Sequence, residues 1–216
     1  MLSIDSVTLN FGSRSILSGC YLECKKGEVV GLLGRNGSGK SSLLKVIFGT
    51  LNAQNKHLRI NDNIIQKGLK DQQVVYLPQE NFLPPYMGVR DLLRNLEPLV
   101  QDRISGVRMI WEVKSKTVAE LSGGMQRLIE TVWIMGQKSD YVLLDEPFSG
   151  LAPVYVEFLQ EMIGEIRKEK GIILTDHIYR PLLEISSRVV LLHNNSVYPI
   201  NTEDDLIRYN YIPDFS

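Results

Sequence analysis

The sequence predicts an α/β fold with a mainly parallel sheet core, because short buried strands alternate with helical segments. Glu28–Leu33 is a β-branched and apolar run that leads into a Gly-rich loop and then into a stretch with helical spacing of apolar residues. Tyr141–Leu144 and Gly171–Thr175 are further apolar runs of strand length, and polar residues follow each of them. Open α/β sheets bind ligands at the carboxyl ends of their strands, so these polar residues are predicted to share one edge.

The Gly-rich loop after the first strand has the pattern of a phosphate-binding loop. Residues Gly34–Ser41 fit G-x-x-x-x-G-K-[ST], between the strand and the helix that this motif requires. Glycines let backbone N–H groups turn towards phosphates, Lys40 brings a positive charge to the β- and γ-phosphates, and the Ser41 hydroxyl can ligate magnesium. The alternative is a Gly-rich turn that caps an ordinary helix. The residues predicted to bind a nucleotide here are Gly34, Asn36, Gly37, Ser38, Gly39, Lys40, Ser41 and Ser42.

Two carboxylates follow the strand Tyr141–Leu144 directly. A buried parallel strand would deliver both charges at its carboxyl end. Asp145 is predicted to hold magnesium through water, and Glu146 is predicted to polarise the water that attacks the nucleotide. The alternative is a strand that ends in solvated acids before the turn at Pro147.

The segment Leu121–Gln126 predicts a second anion site. Ser122, Gly123 and Gly124 open a helical stretch that runs on to Met135, so free N–H groups and the positive end of a helix dipole would meet there. One nucleotide does not need two anion sites from one chain. We therefore expect these residues to serve the nucleotide of a partner chain in a head-to-tail dimer.

In the order and spacing of these motifs, the chain resembles the ATP-binding cassette (ABC) ATPases over nearly its whole length. The resemblance implies a P-loop NTPase fold with N-terminal antiparallel strands and an inserted helical subdomain, and it implies ATP and Mg²⁺ as ligands. It also implies that Phe11 stacks on adenine, that Gln79 in Tyr-Leu-Pro-Gln contacts magnesium, and that His177 in Leu-Thr-Asp-His contacts the γ-phosphate. The predicted catalytic residues are thus Glu146, His177 and Lys40, and the predicted metal-binding residues are Ser41, Gln79 and Asp145.

Phe11, Gln79 and His177 each also have a simpler interpretation. Phe11 ends a strand with buried-type residues such as Val7 and Leu9, and would lie on their face as part of the core. Gln79 follows a proline and could be an ordinary loop amide. A lone histidine such as His177 is usually structural, although an imidazole at this edge could donate to the γ-phosphate and steady Glu146.

Between Gln79 and Leu121 the pattern changes from strands to helices. Val89–Leu96 has helical spacing, and Gly106–Glu112 is a second candidate helix. We therefore predict one domain over residues 1–216, with a core of about 1–80 and 139–216 and an inserted helical subdomain of about 81–138. Glu157–Glu169 is the next predicted helix after this subdomain.

The segment Asn81–Gly88 is the least explained part of the predicted subdomain. Its two prolines exclude regular structure, yet it places Phe82, Leu83, Tyr86 and Met87 beside Gln79. These side chains could pack beneath the subdomain. In the resembled family this segment lines the groove for a short helix of the membrane subunit, which exposed aromatic and Met side chains would suit.

The chain departs from the family at Ala152. The family usually carries an aspartate at this position, in a short loop that crosses the dimer interface. Without that carboxylate, a contact to the partner's phosphate loop is lost while Lys40, Asp145 and Glu146 are untouched. The missing carboxylate bears on the rate of hydrolysis and on the coupling between the two nucleotide sites of a dimer. It does not by itself indicate an inactive enzyme.

Composition agrees with a single nucleotide-binding domain. With 216 residues, 44% of them hydrophobic, the chain can bury a full core, and its net charge of −1 gives no reason to expect a nucleic-acid partner. The longest apolar runs fall far short of the roughly 20 residues that span a bilayer, and the N-terminus lacks a signal-peptide pattern. Cys20 and Cys24 are expected to share a strand face as unbridged, buried or half-buried thiols in a reducing compartment.

Together these features predict an ATP-hydrolysing subunit of an ABC transporter. It would be cytoplasmic and peripheral on the inner face of the cell membrane, where it would power a separately encoded integral permease. Its partner cassette could be a second copy or a different chain. One alternative is a regulatory, weakly hydrolysing cassette of a heterodimer, which Ala152 motivates. The other is a soluble non-transport ABC ATPase, although those families carry long coiled-coil insertions or paired cassettes and this chain has neither.

Overall fold

A computed structural model describes residues 1–69, 72–177 and 179–212 of the chain. The strands are β1 (Leu2–Phe11), β2 (Arg14–Cys24), β3 (Val29–Leu33), β4 (Asn55–Ile60), β5 (Asn63–Ile65), β6 (Val74–Leu77), β7 (Tyr141–Asp145), β8 (Gly171–Thr175), β9 (Arg188–His193) and β10 (Ser196–Ile200). The helices are α1 (Lys40–Phe48), α2 (Val89–Leu93), α3 (Pro98–Ser105), α4 (Arg108–Trp111), α5 (Gly123–Met135), α6 (Pro153–Ile166), α7 (Tyr179–Ile185) and α8 (Glu203–Arg208), with a 3₁₀ turn at Val118–Glu120.

The strands form a six-stranded sheet and a four-stranded sheet. The six-stranded sheet has the order β10-β9-β3-β8-β7-β6, and all its neighbours are parallel except the β9–β10 hairpin. The four-stranded sheet has the order β2-β1-β4-β5 and is antiparallel. The predicted fold class is therefore confirmed, with a mainly parallel core, N-terminal antiparallel strands, and helices α2–α5 inserted between β6 and β7. The residue limits of about 81–138 for the inserted subdomain stay a prediction.

The central strands are buried on both faces and send alternate side chains into two cores. Val30 and Leu143 pack with α1 and the antiparallel sheet, whereas Leu33 and Leu144 pack with α5, α6 and the inserted helices. Every residue of β3, β7 and β8 is buried. Burial on both sides explains why these strands are continuous apolar runs rather than alternating ones.

Strand register brings the polar residues after these strands to one edge of the sheet. Asp145 pairs with Thr175 across β7 and β8, and Leu77 pairs with Leu144 across β6 and β7. The residues that follow Leu77, Asp145 and Thr175 therefore emerge together. The loop after β3 leaves the same parallel sheet at the same edge, so the predicted convergence of the motifs rests on register.

The inserted helices differ from the predicted ones at their boundaries. The predicted helix Val89–Leu96 ends at Leu93, and an unpredicted helix begins at Pro98. Proline suits the first position of a helix, so Pro98 starts the second helix, and it disfavours helical geometry at Glu97, so the two helices do not join. The predicted helix Gly106–Glu112 is reduced to Arg108–Trp111.

The helix predicted at Glu157–Glu169 is displaced towards the N-terminus. It begins at Pro153, again with proline in the first turn, and ends at Ile166. Its apolar face, which includes Phe158 and Met162, is buried as expected.

The cysteines lie on β2 as predicted. Cys20 and Cys24 are both buried and free. Burial raises the pKa of Cys24 to about 12 and also raises the pKa of Cys20, so both thiols are protonated at neutral pH. Within the described ranges, no helix is long and apolar enough to cross a bilayer.

Substituting Gly31, in the middle of β3, tests how closely Leu182 and Ser186 pack against the strand that leads into the phosphate loop. A Cβ atom there would lie 2.4 Å from Leu182 Cδ2 and 2.5 Å from Ser186 Oγ. Gly31→Ala should therefore lower the free energy of unfolding in urea by about 1–3 kcal/mol. The control is Gly164→Ala inside α6, where a Cβ would meet nothing within 4 Å. That change should raise stability by about 0.5–1 kcal/mol, and equal effects of the two changes would contradict this account.

Candidate active site

The phosphate loop ends at an uncapped helix N-terminus. Helix α1 begins at Lys40, and Gly39 before it gives no side-chain cap, so the first N–H groups of the helix are left for a ligand. Gly37 and Gly39 have φ of 77° and 110°, which side-chain-bearing residues rarely adopt. A Cβ on Gly39 would also lie 3.0 Å from Ile16 Cγ2. Glycine is thus required at both positions for the loop to keep this shape.

Lys40 folds back over the loop that precedes it. Its Nζ donates to the carbonyl oxygen of Gly34 at 2.7 Å and to that of Arg35 at 3.4 Å, and the residue is 5% exposed. Burial lowers the pKa of Lys40, and nearby carboxylates, Glu146 first, oppose that shift. The ammonium is held at the loop by backbone carbonyls, as a cation that could turn to a phosphate.

Asp145 is a fully buried carboxylate that three hydroxyl groups satisfy. Its Oδ1 accepts from Ser41 Oγ at 3.1 Å and from Thr175 Oγ1 at 2.9 Å, and its Oδ2 accepts from Tyr76 OH at 2.9 Å. Burial and the carboxylate raise the pKa of Tyr76, so its hydroxyl keeps its proton and donates. The predicted metal-binding residues Ser41 and Asp145 are therefore adjacent.

Glu146 is held in an unusual backbone conformation. Its φ is 55°, a conformation that costs a non-Gly residue about 1–3 kcal/mol and persists only where the surroundings fix it. Its N–H donates to the Thr175 carbonyl at 2.8 Å, and its Oε2 accepts from Gln79 Nε2 at 3.0 Å. His177 Nδ1 lies 3.6 Å from the same Oε2. Gln79 and His177 thus both lie at Oε2 of Glu146. The sequence predicted His177 beside Glu146, whereas the contact of Gln79 with Glu146 was not predicted.

Several of the predicted residues line one cavity of about 480 Å³. Phe11 is 53% exposed and lies in its wall, so the alternative that Phe11 belongs to the core is wrong. Val7 and Leu9 are buried as the alternation predicts, but the strand pairing shifts between Leu9 and Asn10, and Phe11 at the end of β1 no longer follows the buried face. The predicted residues that line this cavity are Phe11, Asn36, Gly37, Gly39, Lys40, Ser41, Ser42, Gln79 and Glu146.

Other predicted residues lie outside this cavity wall. Ser38 lines a neighbouring cavity behind the loop, and its buried Oγ makes no hydrogen bond among the described residues. Ser122 caps α5 by accepting from the Met125 N–H at 3.3 Å, and Gly123 opens the helix on the protein surface. Gly124 packs tightly, since a Cβ on it would lie 3.0 Å from the Gly150 carbonyl oxygen. Their role towards a partner's nucleotide stays a prediction.

Sequence reasoning missed three side chains that hold the site together. Tyr76 and Thr175 bind Asp145, as described above. Arg127, one turn into α5, donates to the carbonyl oxygens of Pro78, Asp145 and Glu146. Strand pairing of Thr175 with Asp145 could have indicated the threonine, but no local pattern indicates the contacts of Tyr76 and Arg127.

The donor set suits magnesium rather than a metal that prefers several protein ligands. Ser41 and Gln79 supply neutral oxygens and Asp145 supplies a carboxylate, while Mg²⁺ binds few protein oxygens together with water and phosphates. Across the described ranges, no group of three or more His, Cys, Asp or Glu side chains is placed to hold a metal ion. A second cavity, of about 780 Å³, lies in the inserted helices between residues such as Arg90, Trp111 and Lys114 and includes none of these oxygens.

Comparison with known proteins agrees with this geometry. A family model described as "ABC transporter" matches residues 17–149. An uncharacterized ABC transporter ATP-binding protein of Bacillus subtilis is 31% identical over 203 residues, covering 89% of this chain and 68% of that protein. A similar protein of Methanocaldococcus jannaschii is 29% identical, covering 96% of this chain and 79% of that protein. The lipopolysaccharide export system ATP-binding protein of Acidithiobacillus ferridurans is 27% identical, covering 99% of this chain and 97% of that protein.

Solved structures are similar over the same length. The ATP-binding subunit of an ABC transporter superposes with a TM-score of 0.81 at 25% identity, covering 100% of this chain and 95% of that one. A nucleotide-free ATP-binding cassette has the same fold, with a TM-score of 0.81 at 20% identity. The motifs, the sheet order and these likenesses agree, and the chain belongs to the ABC transporter family as one of its ATP-binding, ATP-hydrolysing subunits.

Proposed function

We propose that this chain binds Mg-ATP in the cavity beside Phe11 and Lys40 and hydrolyses it with Glu146 as the base, to drive a separate membrane permease. One observation carries the proposal: side chains from three separate segments of the chain converge at one sheet edge. Ser41 hydrogen-bonds Asp145, Gln79 hydrogen-bonds Glu146, and Lys40 lines the same cavity as Ser41, Gln79 and Glu146. A cation, a magnesium-binding pair and a carboxylate base are the groups that phosphoryl transfer to water requires.

The roles of the residues follow from their chemistry. Glu146 accepts a proton from water as the water oxygen attacks the γ-phosphorus and the bond to the ADP oxygen breaks. Lys40 neutralises charge on the phosphates, and His177 hydrogen-bonds the γ-phosphate beside Glu146. Ser41, Asp145 and Gln79 would hold magnesium, which adds positive charge at the β- and γ-phosphates when it is bound. Phe11 offers an exposed ring on which adenine stacks.

The site is completed by a second cassette in this proposal. Ser122 and Gly124 open α5 at the surface, outside the wall of the chain's own nucleotide cavity. An N-terminus of this kind favours a phosphate, and a head-to-tail dimer would supply the partner's γ-phosphate to it. A homodimer and a heterodimer both satisfy this arrangement.

The surface beside Gln79 supports a permease contact. Tyr86 is 80% exposed and Phe82 is 37% exposed, whereas Leu83 between them is buried. The segment Asn81–Gly88 therefore divides its apolar side chains between packing and exposure, and large exposed aromatic side chains favour a protein partner. Contact with an integral permease would keep the chain on the cytoplasmic face of the membrane.

A regulatory cassette is the second candidate, and Ala152 is the observation that favours it. Ala152 is the N-cap residue of α6 and offers no side-chain cap, where an aspartate is expected. A phosphate-release assay on the purified protein, with and without its permease, separates the two functions. Turnover that requires Glu146 supports the ATPase, and binding of ATP without turnover in either setting supports the regulatory cassette.

Lys40 should dominate nucleotide affinity. Lys40→Ala should weaken Mg-ATP binding by about 10- to 100-fold, because a charge-assisted contact to phosphate is lost. Phe11→Ala should change the ratio of ATP to GTP affinity by less than about threefold, since stacking accepts any base. Equilibrium titration with both nucleotides measures these effects, and Lys45→Ala on the exposed face of α1 is the control. Strong rejection of GTP that survives Phe11→Ala would show that another residue contacts the base.

Glu146→Gln should separate binding from turnover. The amide keeps the size of the side chain but cannot accept the proton, so phosphate release should fall by about 100-fold or more while ATP still binds. We expect an ATP-bound dimer, measured by light scattering at saturating Mg-ATP. The double variant with Lys40→Ala should stay monomeric. A Glu146→Gln protein that remains monomeric with its partner chain present would remove the main support for the head-to-tail dimer.

Ala152→Asp should increase hydrolysis or its cooperativity if the homodimer is the working form. The new carboxylate would face the partner's phosphate loop, and one charge-assisted contact of about 1.5 kcal/mol permits up to about a tenfold effect. The control is Ala152→Asn. Both variants should cap α6 and stabilise the fold by about 0.5–2 kcal/mol, but only Asp adds the charge. An unchanged rate, both for the isolated protein and with the permease, would mean that Ala152 lies away from the interface.

A further inference from the structure

The side chain of Arg127 is buried beneath the catalytic edge of the sheet. It is 4% exposed, and its guanidinium donates to the Pro78 carbonyl at 2.7 Å, to the Glu146 carbonyl at 3.0 Å, and to the Asp145 carbonyl. Pro78 precedes Gln79 directly. One side chain of α5 therefore holds the backbone on both sides of the Gln79–Glu146 hydrogen bond.

Glu130 lies one turn further along α5 and is the charge partner of Arg127. Its Oε2 lies 3.7 Å from Arg127 Nη1 and makes no hydrogen bond within the described residues. Its Oε1 accepts from the backbone N–H groups of Phe82 at 3.0 Å and Leu83 at 3.4 Å. The residue is 0% exposed. Glu130 thus holds the backbone of the segment whose aromatic side chains reach the surface beside Gln79.

A purely structural role explains the pair less well. Apolar side chains of similar volume often replace a buried ion pair at no loss of stability, so stability alone does not require these charges. Here the Arg127 guanidinium hydrogen-bonds the backbone beside Gln79 and Glu146, and the Glu130 carboxylate hydrogen-bonds the backbone of Phe82 and Leu83. Arg127 binds the carbonyl of Glu146, whose φ of 55° needs fixing by its surroundings. The planar fork of an arginine spreads five N–H donors in a fixed geometry, whereas a lysine ammonium gathers its three donors on one nitrogen and cannot reach the same three carbonyls in this arrangement.

We propose that Arg127 is a positioning residue for Glu146, and that the Arg127–Glu130 pair couples the Phe82–Leu83 segment to the base. The pair has a backbone contact at each end and a rigid helix between them. A displacement of Phe82 and Leu83 moves Glu130, and Arg127 then moves the carbonyls of Glu146 and Pro78. This inference rests on the proposed role of Glu146 as the base.

The first test is the kinetics of Arg127→Lys in the full chain. Turnover per ATP-binding site should fall at least tenfold while the KM for ATP stays within twofold, because the phosphate loop is untouched. The number of sites is counted by ATP titration, so that unfolded protein does not lower the rate. Arg108→Lys is the matched control, since Arg108 of α4 forms an exposed ion pair with Glu112 just after that helix, and it should keep wild-type kinetics. Turnover of Arg127→Lys within twofold of wild type, or equal losses in turnover and affinity, would overturn the proposal.

The second test follows the Phe82 segment by fluorescence. The chain has two tryptophans, so Trp111→Phe leaves Trp133, whose ring centroid lies 5.8 Å from that of Phe82. With Glu146→Gln to prevent turnover, saturating Mg-ATP should shift the Trp133 emission. Adding Arg127→Lys or Glu130→Gln should abolish the shift while ATP still binds. An emission shift that persists unchanged in both variants, or that is absent with Arg127 and Glu130 intact, counts against coupling.

These results are distinguishable from failure of the proposed function. If Glu146→Gln hydrolyses ATP as fast as the wild type, Glu146 is not the base and the proposed function fails first. If Glu146→Gln is inactive and Arg127→Lys is fully active, only the positioning role fails.

Discussion

The arrangement of the active edge depends on the burial of one carboxylate. Asp145 is 0% exposed, and an ionised carboxylate in such a place is stable only when hydrogen-bond donors replace water. The donors are the hydroxyls of Ser41, Tyr76 and Thr175, which come from α1, β6 and β8. Satisfying this single charge therefore fixes the positions of the phosphate-loop helix and of both strands flanking β7. The same carboxylate stands beside the hydroxyl expected to bind magnesium, so structural and functional demands coincide there.

Glu146, the residue after Asp145, has a strained backbone conformation. The chain leaves β7 at Asp145 with its side chain fixed, and Glu146 turns into a left-handed conformation that directs its carboxylate to Gln79 and His177. Three contacts stabilise that conformation: the Thr175 carbonyl on its N–H, Arg127 on its carbonyl, and Gln79 on its side chain. The two backbone contacts hold the φ of Glu146, and the Gln79 contact holds its side chain, the carboxylate proposed as the base. Pre-organisation of this kind is what catalysis by a fixed carboxylate requires.

The sequence predicts this edge well because its determinants are local. Lys40, Ser41, Asp145 and Glu146 lie in motifs of a few residues, and parallel strands bring the ends of those motifs together. The contacts of Tyr76 and Arg127 depend instead on strand order and on how α5 docks, which no window of the sequence encodes. Phe11 illustrates the same limit: alternation along β1 predicts a buried ring, but the pairing shifts after Leu9, so the last residue of the strand leaves the buried face. The boundary at Glu97-Pro98 was available in the sequence, since proline favours the first turn of a helix.

In the proposed head-to-tail dimer two demands would meet at Ser122, and the chemistry of the hydroxyl would reconcile them. Its oxygen already accepts the Met125 N–H as the cap of α5, a contact worth about 1 kcal/mol of helix stability. Binding a partner's γ-phosphate needs a donor, and a serine hydroxyl keeps one O–H donor while its lone pairs accept. Capping therefore orients the oxygen without consuming the proton that a phosphate would take. An aspartate or asparagine would cap the helix as well, but the first would repel a phosphate and the second would turn a larger group towards it. Among capping residues, the small hydroxyl side chains would serve both purposes, and serine is the smallest of them.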